Sequence, residues 1–342
     1  MKADFTFRLI QAPMAGAQDE RLAAAVSNAG GLGSLPCAML SLDGLKGAMS
    51  RLTKLTEHAY NLNFFAHESV PLTPEAEQAW LTTLSPYFHE FGLDPKQLAA
   101  GPKRQAFNQA MLDAIAPFKP KVVSFHFGLP DKTLMTPIQQ WGGQVWSTAT
   151  TVEEAMWLAQ HGADAIIAQG LEAGGHRGHF LKPDLSGQLT TLDLVQAITK
   201  VVSTPVIAAG GIVDAQTVKQ AMNAGASAVQ VGTAYLLCDE ATTSVVHRQA
   251  LQAPGAQHTQ ITNVFSGRAA RGIVNRAISE LGPWNDTAPV FPHASDAMTA
   301  LRKVNEANGL GDFSPLWCGQ NAKGCLSVSA QSKTLELAQG LL

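Results

Sequence analysis

The sequence predicts an α/β protein built on a (β/α)8, or TIM, barrel with a smaller α/β lid. Eight short β-type runs alternate with helical patterns between residues 8 and 231. Several of these runs are almost continuously apolar, as expected for strands buried on both faces of a parallel sheet. The first strand–helix turn, A-P-M-A-G-A-Q-D, lacks the G-x-G-x-x-G spacing of an open doubly wound sheet. The closed barrel is therefore favoured over that alternative.

The eight predicted strands are residues 8–13, 31–35, 60–65, 121–125, 144–149, 165–168, 205–209 and 228–231. Three helices between them have clear boundaries. They are predicted to begin after Asp19, Thr151 and Asp214, which are good capping residues, and each pattern ends at a glycine. Glu154, three residues after Thr151, predicts a capping box at that helix.

Two stretches fall outside this alternation. Residues 67–104 contain five prolines, and residues 241–342 follow the last predicted strand. Loops after the strands build the catalytic face of a barrel, so such insertions are typical of a lid, with inert decoration as the alternative. We predict a barrel domain from residues 1–66, 105–240 and 310–342, and a lid or substrate domain from residues 67–104 and 241–309.

Composition excludes several classes of protein. With 46% apolar and 15% charged residues in 342, the chain is neither disordered nor a coiled coil. The net charge of −3 provides no basic footprint for nucleic acid. No apolar run approaches the roughly 18 residues needed to cross a bilayer, and the first residues lack a signal-peptide pattern, so we expect no membrane partner and a cytoplasmic location. The four cysteines form no C-x-x-C pair or cluster with histidine, and no metal site is predicted.

Two glycine loops predict a phosphate site. Gly210 and Gly211 follow the seventh predicted strand, and Gly232 and Thr233 follow the eighth. Barrels commonly bind phosphate between these two loops, where exposed backbone N–H groups and a helix N-terminus attract an anion. Tight strand–helix turns are the alternative reading. The loops contain no lysine or arginine and no P-loop motif, which suits a resident cofactor.

The segment A-I-I-A-Q-G-L-E-A-G-G-H-R-G, residues 165–178, predicts the chemical site. His176 lies in a loop after the sixth strand, where an imidazole can act as a general base near neutral pH. Gln169 can hydrogen-bond the edge of a ring, and Glu172 is either an orienting group or a solvated carboxylate. Three glycines give the backbone room to approach a flat ligand: Gly174, Gly175 and Gly178.

Two further residues face the same mouth. Met14 ends the first strand, and its thioether can lie on an aromatic ring while the neighbouring backbone bonds the edge of that ring. Asn63 is a polar residue in an otherwise apolar strand, and either a ligand or a protein group could satisfy its amide. With the phosphate loops and the histidine, these residues outline an FMN enzyme.

Several motifs, in order along the chain, resemble nitronate monooxygenase, formerly called 2-nitropropane dioxygenase, and in particular its class I. They are Q-A-P-M-A-G (11–16), A-V-S-N-A-G-G-L-G-S-L (25–35), N-L-N-F-F (61–65), Q-G-L-E-A-G-G-H (169–176), A-A-G-G-I (208–212), Q-V-G-T (230–233), S-G-R-A-A-R-G (266–272) and W-C-G-Q (317–320). The E-A-G-G-H block is shared with FMN-dependent enoyl-acyl-carrier-protein reductase. The N-F-F segment and the long C-terminal part favour the monooxygenase.

The resemblance implies an FMN barrel with a smaller lid, and oxidation of alkyl nitronates such as propionate 3-nitronate by dioxygen to a carbonyl compound and nitrite, without nicotinamide. It implies that His176 is the catalytic base when a neutral nitroalkane is the substrate. The FMN contacts that it implies are Met14, Asn63, Gln169, Gly174, Gly211, Gln230, Val231, Gly232 and Thr233. FMN is preferred to FAD because a single phosphate site is visible. Ser266, Arg268 and Arg271 either line the mouth and attract an anionic substrate or cap helices.

Two other functions remain open at this stage. One is an NAD(P)H-dependent FMN reductase acting on an enoyl thioester or a quinone, although no second dinucleotide fingerprint is present. The other is a non-catalytic barrel that binds a phosphorylated ligand, which would need no histidine beside the ring site. The sequence also leaves a homodimer open.

Overall fold

The structure, a computed structural model, describes residues 5–98 and 104–342. Within these residues, eleven strands form two sheets. The strands are β1 (Leu9–Gln11), β2 (Gly33–Pro36), β3 (Tyr60–Phe65), β4 (Val122–His126), β5 (Gln144–Ala149), β6 (Ala165–Gln169), β7 (Gly175–His176), β8 (Val206–Ala209), β9 (Ala228–Val231), β10 (Thr259–Thr262) and β11 (Ala270–Ile273). Residues 1–4 of the predicted barrel domain and 99–103 of the predicted lid lie outside the described residues.

Eight strands form a parallel sheet in the order β1-β9-β8-β6-β5-β4-β3-β2. A parallel bridge between Ile10 and Leu32, with a hydrogen bond from the Leu32 N–H to the Leu9 carbonyl (2.8 Å), joins its two ends. The sheet therefore closes, and the predicted (β/α)8 barrel is confirmed. Each of the eight strands overlaps one predicted run, because residues buried on both faces, such as those of β6 and β8, leave continuous apolar stretches in the sequence.

Helices surround the barrel and build the rest of the chain. They are α1 (Glu20–Asn28), α2 (Leu42–Leu55), α3 (Pro74–Glu90), α4 (Gln109–Ile115), α5 (Lys132–Gln140), α6 (Val152–Gln160), α7 (Thr191–Thr199), α8 (Ala215–Asn223), α9 (Val245–Gln252), α10 (Arg276–Leu281), α11 (Ala294–Ala307) and α12 (Ala330–Ala338). As predicted, α1, α6 and α8 begin after Asp19, Thr151 and Asp214, whose side chains accept a hydrogen bond from the first turn. No helix among the described residues is long and apolar enough to cross a membrane.

The capping box predicted at α6 is only half formed. Thr151 Oγ1 accepts from the Glu154 N–H (3.2 Å), as a capping box requires. The Glu154 carboxylate, however, accepts from the Thr150 N–H (2.7 Å) and from the Phe180 N–H (2.6 Å) instead of returning to Thr151. The buried Glu154 side chain thus holds the loop that contains Phe180. The predicted hydrogen bond from the Thr151 N–H to Glu154, the second half of the capping box, was wrong.

The two predicted lid segments share a hydrophobic cluster of their own. Trp80 and Leu84 from α3 pack with Met298 and Leu301 from α11, and the Trp80 indole donates to the Ala294 carbonyl (3.2 Å). In the same region, β10, β11 and β7 form an antiparallel three-stranded sheet. Segments far apart in the sequence thus form one unit, while the domain boundaries themselves stay a prediction.

The C-terminal helix completes the ring of helices around the barrel. Ala330 and Leu337 of α12 belong to the same buried cluster as Leu22 of α1. A hydrogen bond between the hydroxyl groups of Thr334 and Tyr235 (2.9 Å) ties α12 to the segment after β9. The chain therefore returns to the barrel after it has built the separate cluster.

Candidate active site

A cavity with about 1810 Å³ of empty space, including its open mouth, lies at the carboxyl ends of the barrel strands. Barrel enzymes carry their active sites on this face. Residues of the barrel line one side of the cavity and residues of the predicted lid line the other. Nine of the ten predicted site residues line it: Met14, Asn63, Gln169, Gly174, His176, Gly211, Gln230, Gly232 and Thr233.

Val231 is the predicted site residue that does not line the cavity. Successive residues of a strand point to opposite sides, so Gln230 lines the cavity while Val231, only 1% exposed, packs between the strands and the surrounding helices. The Val231 carbonyl already accepts from the Ala12 N–H (2.8 Å). Any contact of Val231 with a cofactor is thus limited to its backbone.

The two glycine loops form one end of the cavity. Gly210 and Gly211 have φ angles of +125° and +68°, which disfavour any residue with a Cβ. A Cβ on Gly210 would also lie 2.7 Å from Thr191 Oγ1. Among the described residues, no acceptor pairs with the backbone N–H groups of Gly211, Gly232 or Thr233. Free N–H groups in adjacent loops form the kind of concavity that binds anions.

The helix N-terminus expected beside these loops is already occupied. Asp214 Oδ1 accepts from the Thr217 N–H (2.8 Å), and the Thr217 side chain returns to the Asp214 backbone in a full capping box. The carboxylate places a negative charge at the first turn of α8. An anion in the cavity would therefore be held by the loop N–H groups and not by the end of this helix.

Met14 lines the cavity near the second glycine loop. Its Sδ is 3.8 Å from the position that a Cβ of Gly232 would take, so the thioether is close to the second glycine loop. The Met14 N–H donates to Gln18 Oε1 (2.8 Å). The thioether thus stays available to a ring in the cavity, whereas this backbone group is already used.

The side-chain amides of Asn63 and Gln230 differ in their hydrogen-bond partners. Asn63 Nδ2 donates to Ser124 Oγ (2.9 Å), so a protein group satisfies its donor end. Gln230 Oε1 is buried and has no hydrogen-bond partner among the described residues. A buried acceptor without a partner in the wall of a cavity is a sign that a ligand supplies the donor.

His176 lies where a strand of the three-stranded sheet follows the barrel strand β6. Its strand β7 pairs with β11, and its Nε2 lies 2.8 Å from Ser266 Oγ. The rings of Phe291 and Trp317 pack against the imidazole, with centroids 5.5 and 5.4 Å from its own. Burial holds the pKa of His176 well below its ordinary value, and the charge of Arg104 acts in the same direction. The imidazole is therefore neutral at pH 7 and can accept a proton.

Two side chains fix the backbone of this histidine. Gln169 Nε2 donates to the His176 carbonyl (2.9 Å), while its Oε1 accepts from the Gly178 N–H (2.8 Å). His126 Nε2 lies 3.2 Å from the same carbonyl, and its Nδ1 lies 3.0 Å from Thr148 Oγ1. Burial lowers the pKa of His126 to about 3, so this ring is neutral too. Sequence reasoning missed His126, whose only signal was its position at the end of a strand.

The rest of the loop is equally well held. Arg177 is fully buried and donates to the carbonyls of Gly170 (2.7 Å) and Gln169 (2.8 Å). Glu172 Oε2 accepts from the Thr191 N–H (2.8 Å) at the start of α7, so of the two predicted roles Glu172 has the orienting one. These contacts keep the His176 loop in one conformation.

The three glycines around His176 are explained by different structural features. A Cβ on Gly174 would lie 2.5 Å from the Cys318 carbonyl carbon, and one on Gly178 would lie 2.6 Å from Thr148 Cγ2. Gly175 has a φ of +72° and open space around its Cα. Close packing against protein, and not room for a ligand, therefore explains Gly174 and Gly178.

Of the polar residues predicted near the mouth, only Ser266 contacts His176. Arg268 stacks on the Phe127 ring (4.0 Å) and donates to the His179 carbonyl. Arg271 lies in β11 and donates to the Leu171 carbonyl (3.0 Å). Among the described residues, neither arginine lines this cavity or caps a helix, and Arg268 lines a neighbouring cavity together with Phe127 and Phe291. In the described part of the chain, the arginines that line the cavity are Arg104 and Arg302.

Comparisons with known proteins point to one family. A family model described as nitronate monooxygenase matches residues 1–333. A nitronate monooxygenase of Pseudomonas aeruginosa is 40% identical over 316 residues, which cover 92% of this chain and 90% of that protein. A nitronate monooxygenase of Paraburkholderia phytofirmans is 37% identical over 336 residues, covering 97% and 92%.

Solved structures agree with this assignment. A nitroalkane oxidase of Streptomyces ansochromogenes matches with a TM-score of 0.89 and 34% identity, over 98% of this chain and 97% of that one. FabK of Thermotoga maritima matches with a TM-score of 0.71 over 98% and 93% of the two chains. Because the identity to FabK is only 23%, that likeness shows the fold alone.

Proposed function

Because the chain belongs to the nitronate monooxygenase family, we propose that it oxidises small alkyl nitronates of the propionate 3-nitronate type with dioxygen, using FMN and no nicotinamide. The products are a carbonyl compound and nitrite. One observation carries the proposal: a neutral, buried His176 lies in the wall of a cavity that ends in two glycine loops with free N–H groups. The loop N–H groups suit the phosphate of a flavin, and the imidazole serves as the base when the neutral nitroalkane is the substrate.

The residues of the cavity fit FMN. The family uses a flavin, and the free N–H groups of Gly211, Gly232 and Thr233 suit its phosphate. Gln230 Oε1, buried and unpaired among the described residues, suits an N–H on the edge of the ring. Met14 and Asn63 would lie along the ring, with Gln169 and Gly174 at the side of His176. A single phosphate site favours FMN over FAD.

When bound, FMN supplies the redox chemistry, since it can take electrons from the substrate and pass them to dioxygen. The protein supplies the proton acceptor. Ser266 Oγ lies 2.8 Å from His176 Nε2 and 3.4 Å from the Arg268 carbonyl. In the tautomer whose Nε2–H donates to Ser266 Oγ, the hydroxyl donates to that carbonyl and Nδ1 carries the lone pair. Nδ1 is the atom that takes the α-proton of a neutral nitroalkane, whereas a nitronate has already lost it.

Aromatic rings surround this base. Phe291 and Trp317 pack against the imidazole, and Phe127 lies 6.2 Å from it, measured between ring centroids. Apolar rings in these positions keep His176 neutral and limit the competing reaction of the substrate with solvent. Phe127 directly follows β4, Trp317 lies in the predicted barrel segment 310–342, and Phe291 lies in the proposed lid domain (67–104 and 241–309). The proposed lid therefore contributes Phe291 to the surroundings of the base.

The reductase alternative has weaker support. Its structural counterpart, FabK, shares only 23% identity with this chain. The proposed assignment also includes a cytoplasmic location.

The experiment is oxygen uptake by the flavin-loaded protein with propionate 3-nitronate and no nicotinamide. We expect rapid uptake together with nitrite release. If uptake is absent and NADH bleaches the flavin instead, the reductase replaces the monooxygenase as the assignment.

A further inference from the structure

Two guanidinium groups line the active-site cavity among the described residues, and their surroundings differ. Arg302 Nε lies 2.7 Å from Glu306 Oε1, which also accepts from Ser314 Oγ (2.7 Å). The charge of Arg302 is thus matched inside the cavity by a carboxylate that has its own hydrogen-bond partners. A substrate anion would gain little from this pair, because the negative charge of Glu306 lies beside it.

Arg104 is the other cavity arginine. Its Nη1 donates to Ser295 Oγ, a neutral acceptor. Burial lowers the pKa of Arg104, and Asp296 only opposes that effect. The positive charge is therefore poorly solvated, and its neighbours compensate it incompletely. A partly buried guanidinium in this condition gains from a carboxylate, which it can bind through two parallel hydrogen bonds.

Arg104 is also close to the proposed base. Its Cζ lies 5.9 Å from the centroid of the Phe291 ring, and that ring lies 5.5 Å from the His176 ring. The cation and the imidazole therefore lie near the same aromatic ring. A substrate that placed its reacting carbon at His176 could reach Arg104 with a group only a few bonds away.

We propose that Arg104 selects nitronates that carry a carboxylate, by binding this carboxylate on the lid side of the cavity. The inference rests on the proposed function. It assigns substrate selection to a lid residue, and it explains why Arg268 and Arg271, which are held by backbone carbonyls outside the cavity, are not needed for it.

The test compares two substrates with the same reacting group. Propionate 3-nitronate has a carboxylate and ethyl nitronate has none. In Arg104→Gln we expect the ratio of their kcat/KM values to fall roughly 10- to 100-fold, the usual effect of losing a hydrogen bond to a charged group. The loss should lie mainly in KM for propionate 3-nitronate. Arg104→Lys, which keeps the charge but not the planar fork, should recover part of the ratio.

A matched control removes the other guanidinium. The double variant Arg302→Gln with Glu306→Gln takes one positive and one negative charge from the same cavity and leaves its net charge unchanged. We expect its substrate ratio to stay within about twofold of the original, the range of a variant that leaves the binding interaction intact. Propionate, as a competitor of ethyl nitronate, should bind more weakly to Arg104→Gln than to this control.

Two outcomes would overturn the proposal: an unchanged substrate ratio in Arg104→Gln, or an equal fall of the ratio in the double variant. Failure of the proposed function would give a different experimental result. In that case the unsubstituted enzyme consumes oxygen with neither nitronate.

Discussion

His176 owes its properties to residues from three distant parts of the chain. Ser266 contacts Nε2, Gln169 and His126 fix the backbone carbonyl, and Phe291 covers the ring. Together these contacts hold the imidazole ring and its backbone in place, and burial keeps the ring neutral. Because folding already orients this imidazole, the conformational entropy is lost during folding and not during each catalytic cycle.

Replacement of this ring should affect two substrates unequally. In His176→Ala we expect kcat/KM for neutral nitroethane to fall roughly 10²- to 10⁴-fold, because no base remains to take the α-proton. Ethyl nitronate, already deprotonated, should lose much less. Steady-state oxygen uptake with both substrates measures the difference, and the exposed His58→Ala serves as control. Equal losses for the two substrates would contradict the role of His176 as a base.

Local sequence identified some of these residues and not others. His176 stood out because glycines surround it and a buried strand precedes it. His126 did not, since in V-V-S-F-H it reads as the end of an apolar strand. Arg104 reaches the cavity only through packing between the two lid segments, and short-range pattern carries no information on such a contact.

Among the elements, the barrel strands were the most predictable and the lid the least. A strand buried on both faces leaves its mark within a few residues, as A-I-I-A-Q does at β6. The pairing of β7 with β11 joins His176 to Ala270, and neither two-residue β7 nor its partner shows an alternating pattern. Long-range contacts of this kind follow from the whole fold.

Glu154 shows how one element holds another, since its carboxylate joins α6 to the loop after β7. In Glu154→Gln, an amide NH₂ group must face a backbone N–H of either Thr150 or Phe180. We expect the free energy of unfolding to fall by about 1.5–3 kcal/mol, the usual contribution of hydrogen bonds to a buried charge. Urea denaturation measures the loss.

Glu153→Gln is the matched control, because Glu153 lies in the first turn of the same helix and is exposed. Its effect should stay within about 0.5 kcal/mol, as for other surface substitutions. If both variants lose the same stability, the helix dipole and not the loop contact is responsible.

At the scale of the whole molecule, buried neutral histidines should make stability depend on pH. Burial lowers the pKa of His67, His179 and His247 to about 4 and that of His126 to about 3. In the unfolded chain these groups take up protons near pH 6.5, so below that pH the unfolded state binds more protons than the folded state. Their contribution to stability is complete above about pH 6.5 and is lost as the pH falls towards 4.

Each of these histidines can contribute up to about 1.4 kcal/mol per pH unit in this window. We therefore expect the holoenzyme to have a markedly lower free energy of unfolding at about pH 5 than at about pH 7.5, as measured in urea. His247→Asn should flatten the dependence, because burial lowers the pKa of His247 although its hydrogen bond to the Trp317 carbonyl (3.1 Å) acts in the opposite direction. Identical stability at the two pH values would refute the argument.

The pairing of β7 with β11 also limits how such enzymes can diversify. The two-residue strand that holds His176 belongs to the barrel in sequence, but its hydrogen-bonded neighbour comes from the segment that covers the barrel. A chimera that imports only residues 241–309 from a relative would bring a foreign neighbour to the strand of its own base. A change of substrate range in this architecture therefore requires that the loop of residues 170–178 is exchanged together with residues 241–309. The segment 241–309 alone is not an interchangeable module.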